Sequence, residues 1–418
     1  MKKCFGILGL GETGLASALF LKKRGFDVFV SESQISDPLE ERASRLKEEK
    51  IAYELGGHTL GKIIENDWVL LSPGISPAAE IYQSLVKLGA PLVSEVEVAS
   101  WFSPGEVTAV TGTSGKTTVT TLIHRIYQAH GIPSVSCGNI GNPWIGEIDR
   151  LTPKTQIVLE ISSFQLQHTF SLRPRFAVLL NIGPNHLDWH PTMEDYVSAK
   201  LRLFQNQTAK DDAFVRRKDH QTFFPHFSLP SRMIYFADQE GHDANRDLLE
   251  KIAERRGLDL PKVREIYSQF EGIEHRLERV GEIDGVRFVN DSKCTTLEAL
   301  VWGLNQFPDG KVILLAGGHA KGADFLGARE PLTKKAKQVI VYGEAQNLLW
   351  ESWEGAAPLT RAKDLPEAFR EALRIGRPGD TLLLSPACAS FDQFTNYQER
   401  GRLFKQLVSQ CEASSARP

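Results

Sequence analysis

A glycine-containing loop between an apolar run and an amphipathic segment constrains this chain more than any other feature. The apolar run 107–111 precedes the loop, and a helical pattern over 119–130 follows it. The loop itself reads Gly112, Thr113, Ser114, Gly115, Lys116, Thr117 and Thr118. Backbone N–H groups of such a loop hold phosphate oxygens, and its lysine neutralises charge near the β- and γ-phosphates. The sequence therefore predicts a nucleotide-phosphate site with Thr117 as a Mg²⁺ ligand.

The loop departs from the standard phosphate-loop spacing in one place. Val110 stands where the usual pattern puts its first glycine. A glycine turn followed by a surface lysine would explain the two glycines. It would not explain a Lys-Thr pair at the start of a helix that follows a buried strand. The departure therefore points to a particular subgroup of phosphate-binding loops.

Short apolar runs separated by charged, amphipathic stretches predict an α/β fold with parallel, buried strands. They form three series: 4–10, 27–30 and 68–71; then 107–111, 157–161 and 176–182; then 286–290, 311–316, 338–342 and 381–385. A charge-rich helical region near 247–266 precedes the third series. At 418 residues the chain exceeds one ordinary hydrophobic core. We expect three α/β domains, over 1–103, 104–271 and 272–418.

Charge and cysteine usage restrict the partners. A net charge of −3 gives no basic footprint for nucleic acid or an anionic membrane, so small molecules are the expected partners. The five cysteines form no CxxC pair, which argues against structural zinc and a disulfide framework. No secretion signal and no apolar run of membrane-spanning length is visible. We expect a cytoplasmic monomer.

The N-terminal segment carries a dinucleotide-type fingerprint. Gly9, Gly11 and Gly14 lie between a predicted strand and a predicted helix, and Glu32 ends the next strand. By itself this pattern fits a nicotinamide-binding domain. However, the helix N-terminus recognises a diphosphate, and a UDP-sugar has one just as NAD does. Both ligands stay open on these residues alone.

Further motifs follow in an order that resembles the Mur ligase family over the whole chain. They are Thr111–Thr117, Glu160–Gln165, Asn181–Asp188, Tyr196–Lys200, His275-Arg276, Asp291–Lys293, Gly317–Asp324 and Ser385–Phe394. The resemblance implies a Rossmann-like N-terminal domain, a central ATP-binding phosphate-loop domain and a Rossmann-like C-terminal domain. It also implies an ATP-dependent amide ligase of peptidoglycan precursor synthesis. The last three motifs resemble those of the members that add D-glutamate to UDP-N-acetylmuramoyl-L-alanine through an acyl phosphate.

Binding roles follow from the same resemblance. For the UDP-linked substrate they fall on Gly11, Thr13, Gly14, Glu32, Ser72, Pro73, Gly74 and Asn139. For ATP they fall on the loop residues Gly112 to Thr118, Arg276 and Asp291. For D-glutamate they fall on Lys293, Thr295, Lys321, Ser390 and Tyr397. Two residues depart from the family pattern: Thr296 replaces an asparagine, and Tyr397 stands where phenylalanine is more usual.

The catalytic roles implied are those of Lys116, His186 and Lys200. Thr117, Glu160, His186 and Lys200 are the expected ligands of two Mg²⁺ ions. The resemblance implies that Lys200 reacts with CO₂ and becomes an anionic carbamate, which removes the repulsion that an ammonium beside two dications would meet.

Three other classes remain open at this point. A nicotinamide oxidoreductase would leave the phosphate loop, Glu160 and His186 without a use. A phosphate-loop ATPase that drives motion would not need a carboxylate-binding set in its third domain. A folylpolyglutamate ligase would share the central site but should lack the glycines at 9–14. Sibling ligases that add L-alanine or a diamino acid are the nearest alternatives within the family.

Overall fold

The computed structural model describes residues 3–183, 189–238, 242–270, 272–320 and 324–415. The chain divides into two compact units, Met1–Phe270 and Glu271–Pro418. The first unit contains two sheets and the second contains one.

The first sheet lies in the N-terminal part of the first unit. Its strands are β1 Cys4–Leu8, β2 Asp27–Glu32, β3 Ala52–Leu55, β4 Trp68–Leu71 and β5 Leu92–Ser94. All pairs are parallel, in the order β3-β2-β1-β4-β5. The helices are α1 Glu12–Lys23, α2 Asp37–Glu48, α3 Leu60–Ile64, α4 Glu80–Lys87 and α5 Glu95–Phe102. The order reverses between β1 and β4, so the loops after these two strands open at the point where such sheets bind ligands.

The second sheet has six parallel strands in the order β11-β10-β9-β6-β8-β7. They are β6 Glu106–Thr111, β7 Ser134–Gly138, β8 Gln156–Glu160, β9 Phe176–Leu179, β10 Asp212–Arg216 and β11 Arg232–Phe236. The helices are α6 Lys116–Ala129, α7 Trp144–Glu147, α8 Ser163–Gln167, α9 Met193–Leu201, α10 Arg217–Phe223, α11 His242–Arg256 and α12 Leu260–Ser268. Short 3₁₀ turns cover Ile148–Arg150 and Arg202–Phe204. Because β8 and β9 flank β6, the residues that end these strands surround the phosphate loop.

The second unit is built on a mixed six-stranded sheet. Its strands are β12 Glu278–Ile283, β13 Val286–Asn290, β14 Val312–Gly317, β15 Ala336–Tyr342, β16 Leu359–Ala362 and β17 Thr381–Leu384. The order is β12-β13-β17-β14-β15-β16, and only the β12–β13 pair is antiparallel. The helices are α13 Leu297–Leu304, α14 Arg329–Lys335, α15 Gln346–Trp353, α16 Leu365–Ile375 and α17 Tyr397–Ser415. A 3₁₀ turn covers Leu326–Ala328.

The α/β prediction is confirmed, and the ten apolar runs all coincide with strands to within a few residues. The central strands β6, β8, β9, β14 and β17 are buried almost throughout, which is why their apolar runs were visible in the sequence. The helical region around 247–266 is two helices, which separate at Gly257 in a left-handed conformation with φ +67°. Edge strands such as β3 and β12 are partly exposed and carry charged residues, so they gave no apolar signal.

Candidate functional site

The phosphate loop turns on a glycine in a left-handed conformation. Gly115 adopts φ +80° directly before the first residue of α6, a conformation that a side chain would strain. A Cβ at Gly112 would lie 2.9 Å from the Cβ of Leu180, because the loop passes close to the segment after β9. The sequence therefore forms a tight turn whose N–H groups open at the start of a helix.

The segment after β9 holds this loop in place. Asn181 accepts the Ser114 N–H through Oδ1 at 2.9 Å and donates to the Ser114 carbonyl at 3.1 Å. Its own carbonyl accepts the Thr113 N–H at 3.0 Å. The Thr113 hydroxyl in turn accepts the Gly183 N–H at 3.0 Å and lies 3.1 Å from the Tyr196 hydroxyl. The loop conformation is thus fixed by contacts to two neighbouring segments.

Two lysines meet at one carbonyl of the loop. Lys116 donates to the carbonyl of Gly112 at 2.9 Å and to that of Thr113 at 3.1 Å. Lys200, on α9, donates to the same Gly112 carbonyl at 3.0 Å. The fold therefore brings together two of the three residues that the sequence singles out as catalytic.

Lys200 is buried, with a relative exposure of 1%. Its Nζ lies 4.4 Å from the centre of the Tyr196 ring. Burial, and then the charge of Lys116, hold the pKa of Lys200 well below its ordinary value. The amine therefore loses its proton far more easily than a surface lysine would.

Glu160 ends β8 beside the loop and is also buried. Its Oε1 accepts the side-chain amide of Asn139 at 2.8 Å, and its carbonyl accepts the Asn139 N–H at 2.9 Å. Its Oε2 is buried with no hydrogen-bond partner among the described residues. A buried carboxylate oxygen without a partner is costly, and an oxygen-seeking cation would satisfy it. Thr117, also buried, adds a hydroxyl in the same loop. These donors fit Mg²⁺.

His186 and Lys321 lie outside the described residues, so the roles expected for them stay predictions from the sequence.

The glycine loop of the first sheet packs against the end of β4. A Cβ on Gly14 would lie 1.9 Å from the carbonyl oxygen of Gly9, so α1 can start here only with glycine at this position. The Ser72 hydroxyl donates to that carbonyl at 3.2 Å, which joins the two loops at the switch point. Gly11 is the residue before α1, and Thr13 lies in its first turn. Pro73 is half-buried and Gly74 exposed, both after Ser72.

Glu32, at the end of β2, stabilises the glycine loop between β1 and α1. Its carboxylate accepts the Leu10 N–H at 2.8 Å and the Gln34 N–H at 3.1 Å. Of the expected UDP-site residues, Asn139 follows β7 of the second sheet and donates to Glu160, whereas the others surround the switch point of the first sheet.

In the second unit, a hydrogen bond joins the turn that carries Arg276 to Asp291, which follows β13. His275 and Leu277 flank Arg276 in left-handed conformations, with φ +64° and +44°. Asp291 accepts the Leu277 N–H at 3.2 Å and the Ser385 hydroxyl at 2.8 Å. Burial raises the pKa of Asp291 to about 6, against these hydrogen bonds and the charge of Arg276. The exposed Arg276 is thus presented by a constrained turn.

The structure brings some of the expected amino-acid-binding residues together. The Lys293 Nζ lies 6.0 Å from the centre of the Tyr397 ring, at the start of α17. Thr295 is half-buried in the loop after β13, and Ser390 is buried in the loop after β17. Thr296, which departs from the family pattern, accepts the Ala299 N–H at 3.4 Å and caps α13.

Reasoning from the sequence gave no role to three residues that shape these sites. Asn181 and Tyr196 stand inside motifs noted above but were assigned nothing. Arg400, fully buried in α17, stood out by no pattern at all.

Comparisons with known proteins match most of the chain. The model of the MurD N-terminal domain matches residues 4–81, that of the Mur ligase middle domain 110–271, and that of the Mur ligase glutamate ligase domain 275–388. The chain belongs to the Mur ligase family.

Full-length relatives narrow the comparison. The protein named UDP-N-acetylmuramoylalanine–D-glutamate ligase from Acidobacterium capsulatum is 37% identical to this chain, over 96% of this chain and 95% of that one. The protein of that name from Pelotomaculum thermopropionicum is 35% identical over 96% of both chains. The protein of the same name from Chloroherpeton thalassium is 34% identical over 97% of this chain and 98% of that one.

Solved structures share the fold. They include the UDP-N-acetylmuramate-alanine ligase of Thermotoga maritima, with a TM-score of 0.55 and 17% identity over 99% of this chain and 100% of that one. The MurF ligase of the same organism, in complex with ADP, has a TM-score of 0.54 and 14% identity over 98% of both chains. A folylpolyglutamate synthase from Mycobacterium tuberculosis has a TM-score of 0.55 and 12% identity, over 82% of this chain and 97% of that one. Across the described residues, no helix is long and apolar enough to cross a bilayer.

Proposed function

We propose that this protein adds D-glutamate to UDP-N-acetylmuramoyl-L-alanine, using ATP, in cytoplasmic synthesis of the peptidoglycan precursor. The observation that carries the proposal is that Lys116 and Lys200 share one carbonyl of the phosphate loop, with Glu160 at the end of the neighbouring strand β8, opposite Val110. Full-length relatives of that name, at 34–37% identity, support the choice of substrates.

The chemical difficulty in this reaction is charge. A carboxylate becomes an amide only after activation, and ATP activates it by transferring its γ-phosphoryl group to form an acyl phosphate. Both reactants are anions, so the protein must supply cations and aligned donors rather than a nucleophile. Lys116 and the N–H groups at the start of α6 meet this need. The contacts of Asn181 to Ser114 hold the part of the loop that leads into α6.

Mg²⁺ would bind at Glu160 and Thr117, and a second ion at His186 and Lys200. Bound there, the ions would neutralise charge on the phosphates as the phosphoryl group is transferred. The unpartnered Oε2 of Glu160 supports the first site, because it offers a buried oxygen that nothing else in the described chain satisfies. Asn139 holds the other carboxylate oxygen and so fixes the direction in which Oε2 points.

Lys200 would serve as a carbamate. Its neutral amine adds to the carbon of CO₂, the nitrogen loses a proton, and the product carries a carboxylate where a cation stood. The buried setting and the charge of Lys116 favour the neutral amine that this addition needs. As a carbamate, Lys200 would add an anionic oxygen beside Lys116 instead of a second positive charge.

The remaining sites are assigned by the same proposal. The loops at Gly11–Gly14 and Ser72–Gly74, with Glu32 and Asn139, would hold the UDP group. Arg276 and Asp291 would contact ATP, and Lys293, Thr295, Lys321, Ser390 and Tyr397 would hold D-glutamate. The three matched family models support a division into domains at 1–103, 104–271 and 272–418. We propose that the protein acts as a monomer.

The test is phosphate release from ATP and Mg²⁺ with UDP-N-acetylmuramoyl-L-alanine present. D-glutamate is compared with L-glutamate, L-alanine, L-lysine and no amino acid. We expect release only with D-glutamate. Release with another amino acid would overturn the substrate assignment, and release that is indifferent to both substrates would identify an ATPase.

A further inference from the structure

Among the described residues, Arg400 is the largest cationic side chain that is fully buried, and nothing above uses it. It lies on α17, three residues after Tyr397. Its guanidinium group donates only to oxygens of the protein, and no carboxylate of the described residues lies within ion-pair distance. A buried charge without a counter-ion is expensive, so its neighbours must be arranged to satisfy it.

Those neighbours belong to three separate loops. Arg400 donates through Nε to the Ser292 hydroxyl at 3.0 Å and through Nη2 to the Ser292 carbonyl at 2.9 Å. Nη1 donates to the Gly317 carbonyl at 3.3 Å, and both Nη1 and Nη2 donate to the Cys388 carbonyl at 3.1 Å. Ser292 follows β13, Gly317 ends β14 and Cys388 follows β17. One side chain therefore ties together the carboxyl ends of three adjacent strands.

Each of these loops carries a residue proposed to bind the amino acid. Ser292 directly precedes Lys293, Gly317 begins the segment that leads to Lys321, and Cys388 lies two residues before Ser390. The Ser292 hydroxyl also links Arg400 to Tyr397, because it accepts from Arg400 and donates to the Tyr397 carbonyl at 2.8 Å.

Two of these loops, those after β14 and β17, are also packed too closely to shift independently. A Cβ on Gly318 would lie 2.1 Å from the Ala389 carbonyl and 3.1 Å from Nη1 of Arg400. His319 and Ala389 exchange two backbone hydrogen bonds, at 2.8 and 3.1 Å. The planar fork of arginine can donate in several directions at once, which a lysine ammonium at the same place cannot reproduce.

We infer that Arg400 is a positioning residue that sets the geometry of the amino-acid site by fixing these three loops. The inference rests on the proposed function for the identity of the ligand. The positional part stands on the structure of the second unit alone. Arg400 touches no substrate in this account; it acts through Lys293, Ser390 and Tyr397.

The test uses Arg400→Lys in the full-length protein, with Ser292→Ala as a milder second variant. The matched control is Asp380→Asn. Asp380 is buried at the amino end of β17, at the opposite edge of the sheet, where it pairs with Lys311 and Lys337.

Hydrogen–deuterium exchange gives the first readout and does not depend on activity. Arg400→Lys should speed exchange at Gly317, His319 and Ala389 at least about tenfold while the cores of β14 and β17 stay protected. Asp380→Asn should leave these three amides unchanged. Unchanged exchange in both Arg400→Lys and Ser292→Ala would overturn the inference.

Kinetics gives the second readout. Arg400→Lys should raise the KM for D-glutamate by about tenfold or more, while the KM for the UDP-linked substrate stays within about twofold. A lower kcat with every KM unchanged would mean only a loss of folded enzyme and would contradict a positioning role. If the wild-type protein releases no phosphate in response to D-glutamate, the proposed function fails, and the exchange readout still decides the role of Arg400.

Discussion

Lys116 and Lys200 donate to the same oxygen, the carbonyl of Gly112, at 2.9 and 3.0 Å. Two ammonium groups at one acceptor repel each other, and one of them is buried. The arrangement is relieved if Lys200 loses its proton, and it becomes attractive if Lys200 carries a carbamate. The pair therefore links the phosphate loop to α9 in a way that depends on the chemical state of one lysine.

Replacing Lys200 by alanine should lower turnover by at least about a hundredfold, as expected for removing one group that stabilises transition-state charge. Acetate at high concentration should partly restore activity, because it can occupy the space of the lost carbamate. The measurement is phosphate release with and without acetate. Lys116→Ala is the matched control: it should also be inactive, but acetate should not restore it, since Lys116 acts as a cation. Full activity of Lys200→Ala without acetate would refute the role.

Replacing Glu160 by glutamine should reduce the thermal stabilisation that Mg²⁺ gives, because one of the two proposed ion sites is lost, without lowering the stability of the metal-free protein. The Oε2 atom has no partner in the described chain, so the substitution breaks no hydrogen bond at that position. Thermal unfolding with and without Mg²⁺ and a non-hydrolysable ATP analogue measures both effects.

The control for Glu160 is Asp212→Asn. Asp212 is a buried carboxylate at the amino end of β10, the opposite edge of the same sheet, and pairs with Arg175 and Arg255. This variant should be less stable yet keep the full Mg²⁺ response. A thermal stabilisation by Mg²⁺ in Glu160→Gln equal to that of the wild-type protein would remove Glu160 from the metal site.

Replacing Asn181 by alanine should raise the KM for ATP by roughly tenfold, because the Ser114 N–H and carbonyl lose partners that hold the loop. Initial rates at varied ATP give this value. Asn206→Ala serves as control, since Asn206 also donates to two loop carbonyls, those of Phe170 and Leu172, but away from the phosphate loop. An equal change of the KM for ATP in both variants would show a general disturbance of the fold and would contradict a specific role of Asn181 in the phosphate loop.

Glu95 should make stability depend on pH between about 4 and 7. It is buried, accepts the Ile145 N–H at 2.6 Å, and burial raises its pKa to about 7. An ordinary glutamate has a pKa of about 4.3. Between that pH and about 7, the folded state therefore holds a proton that the unfolded state has lost. Stability from this group is therefore complete at low pH and falls as pH rises, by on the order of 3 kcal/mol.

Glu95→Gln should remove this dependence. Urea unfolding of the first unit at pH 5 and at pH 8 should show the variant gaining stability relative to wild type as the pH increases. A constant difference between the two proteins at both pH values would exclude the titration of Glu95 as its source.

The sequence was most informative where a residue's role is tied to a strand end. The phosphate loop follows an apolar, buried strand and Glu160 ends another, so the position of both was predictable. Strand β12 was not predictable, since it is a partly exposed edge strand with charged residues and pairs antiparallel.

Contacts made by folding were harder to foresee. Nothing in the sequence near Arg400 indicates that its side chain reaches oxygens 83 to 108 residues away in the chain. The same holds for Asn139, which was assigned to the UDP group and whose side chain donates to Glu160. Spacing predicts which residues share a strand end, but it does not reveal which of them hold one another.

The central claim is that ATP activates the carboxylate of the UDP-linked substrate. The direct measurement uses UDP-N-acetylmuramoyl-L-alanine labelled with ¹⁸O in its terminal carboxylate, together with ATP, Mg²⁺ and D-glutamate. Mass spectrometry of the released phosphate should find one ¹⁸O atom in each, because the acyl phosphate leaves with one carboxylate oxygen. Phosphate released without ¹⁸O would mean that water, and not the carboxylate, attacks ATP, and would contradict the account.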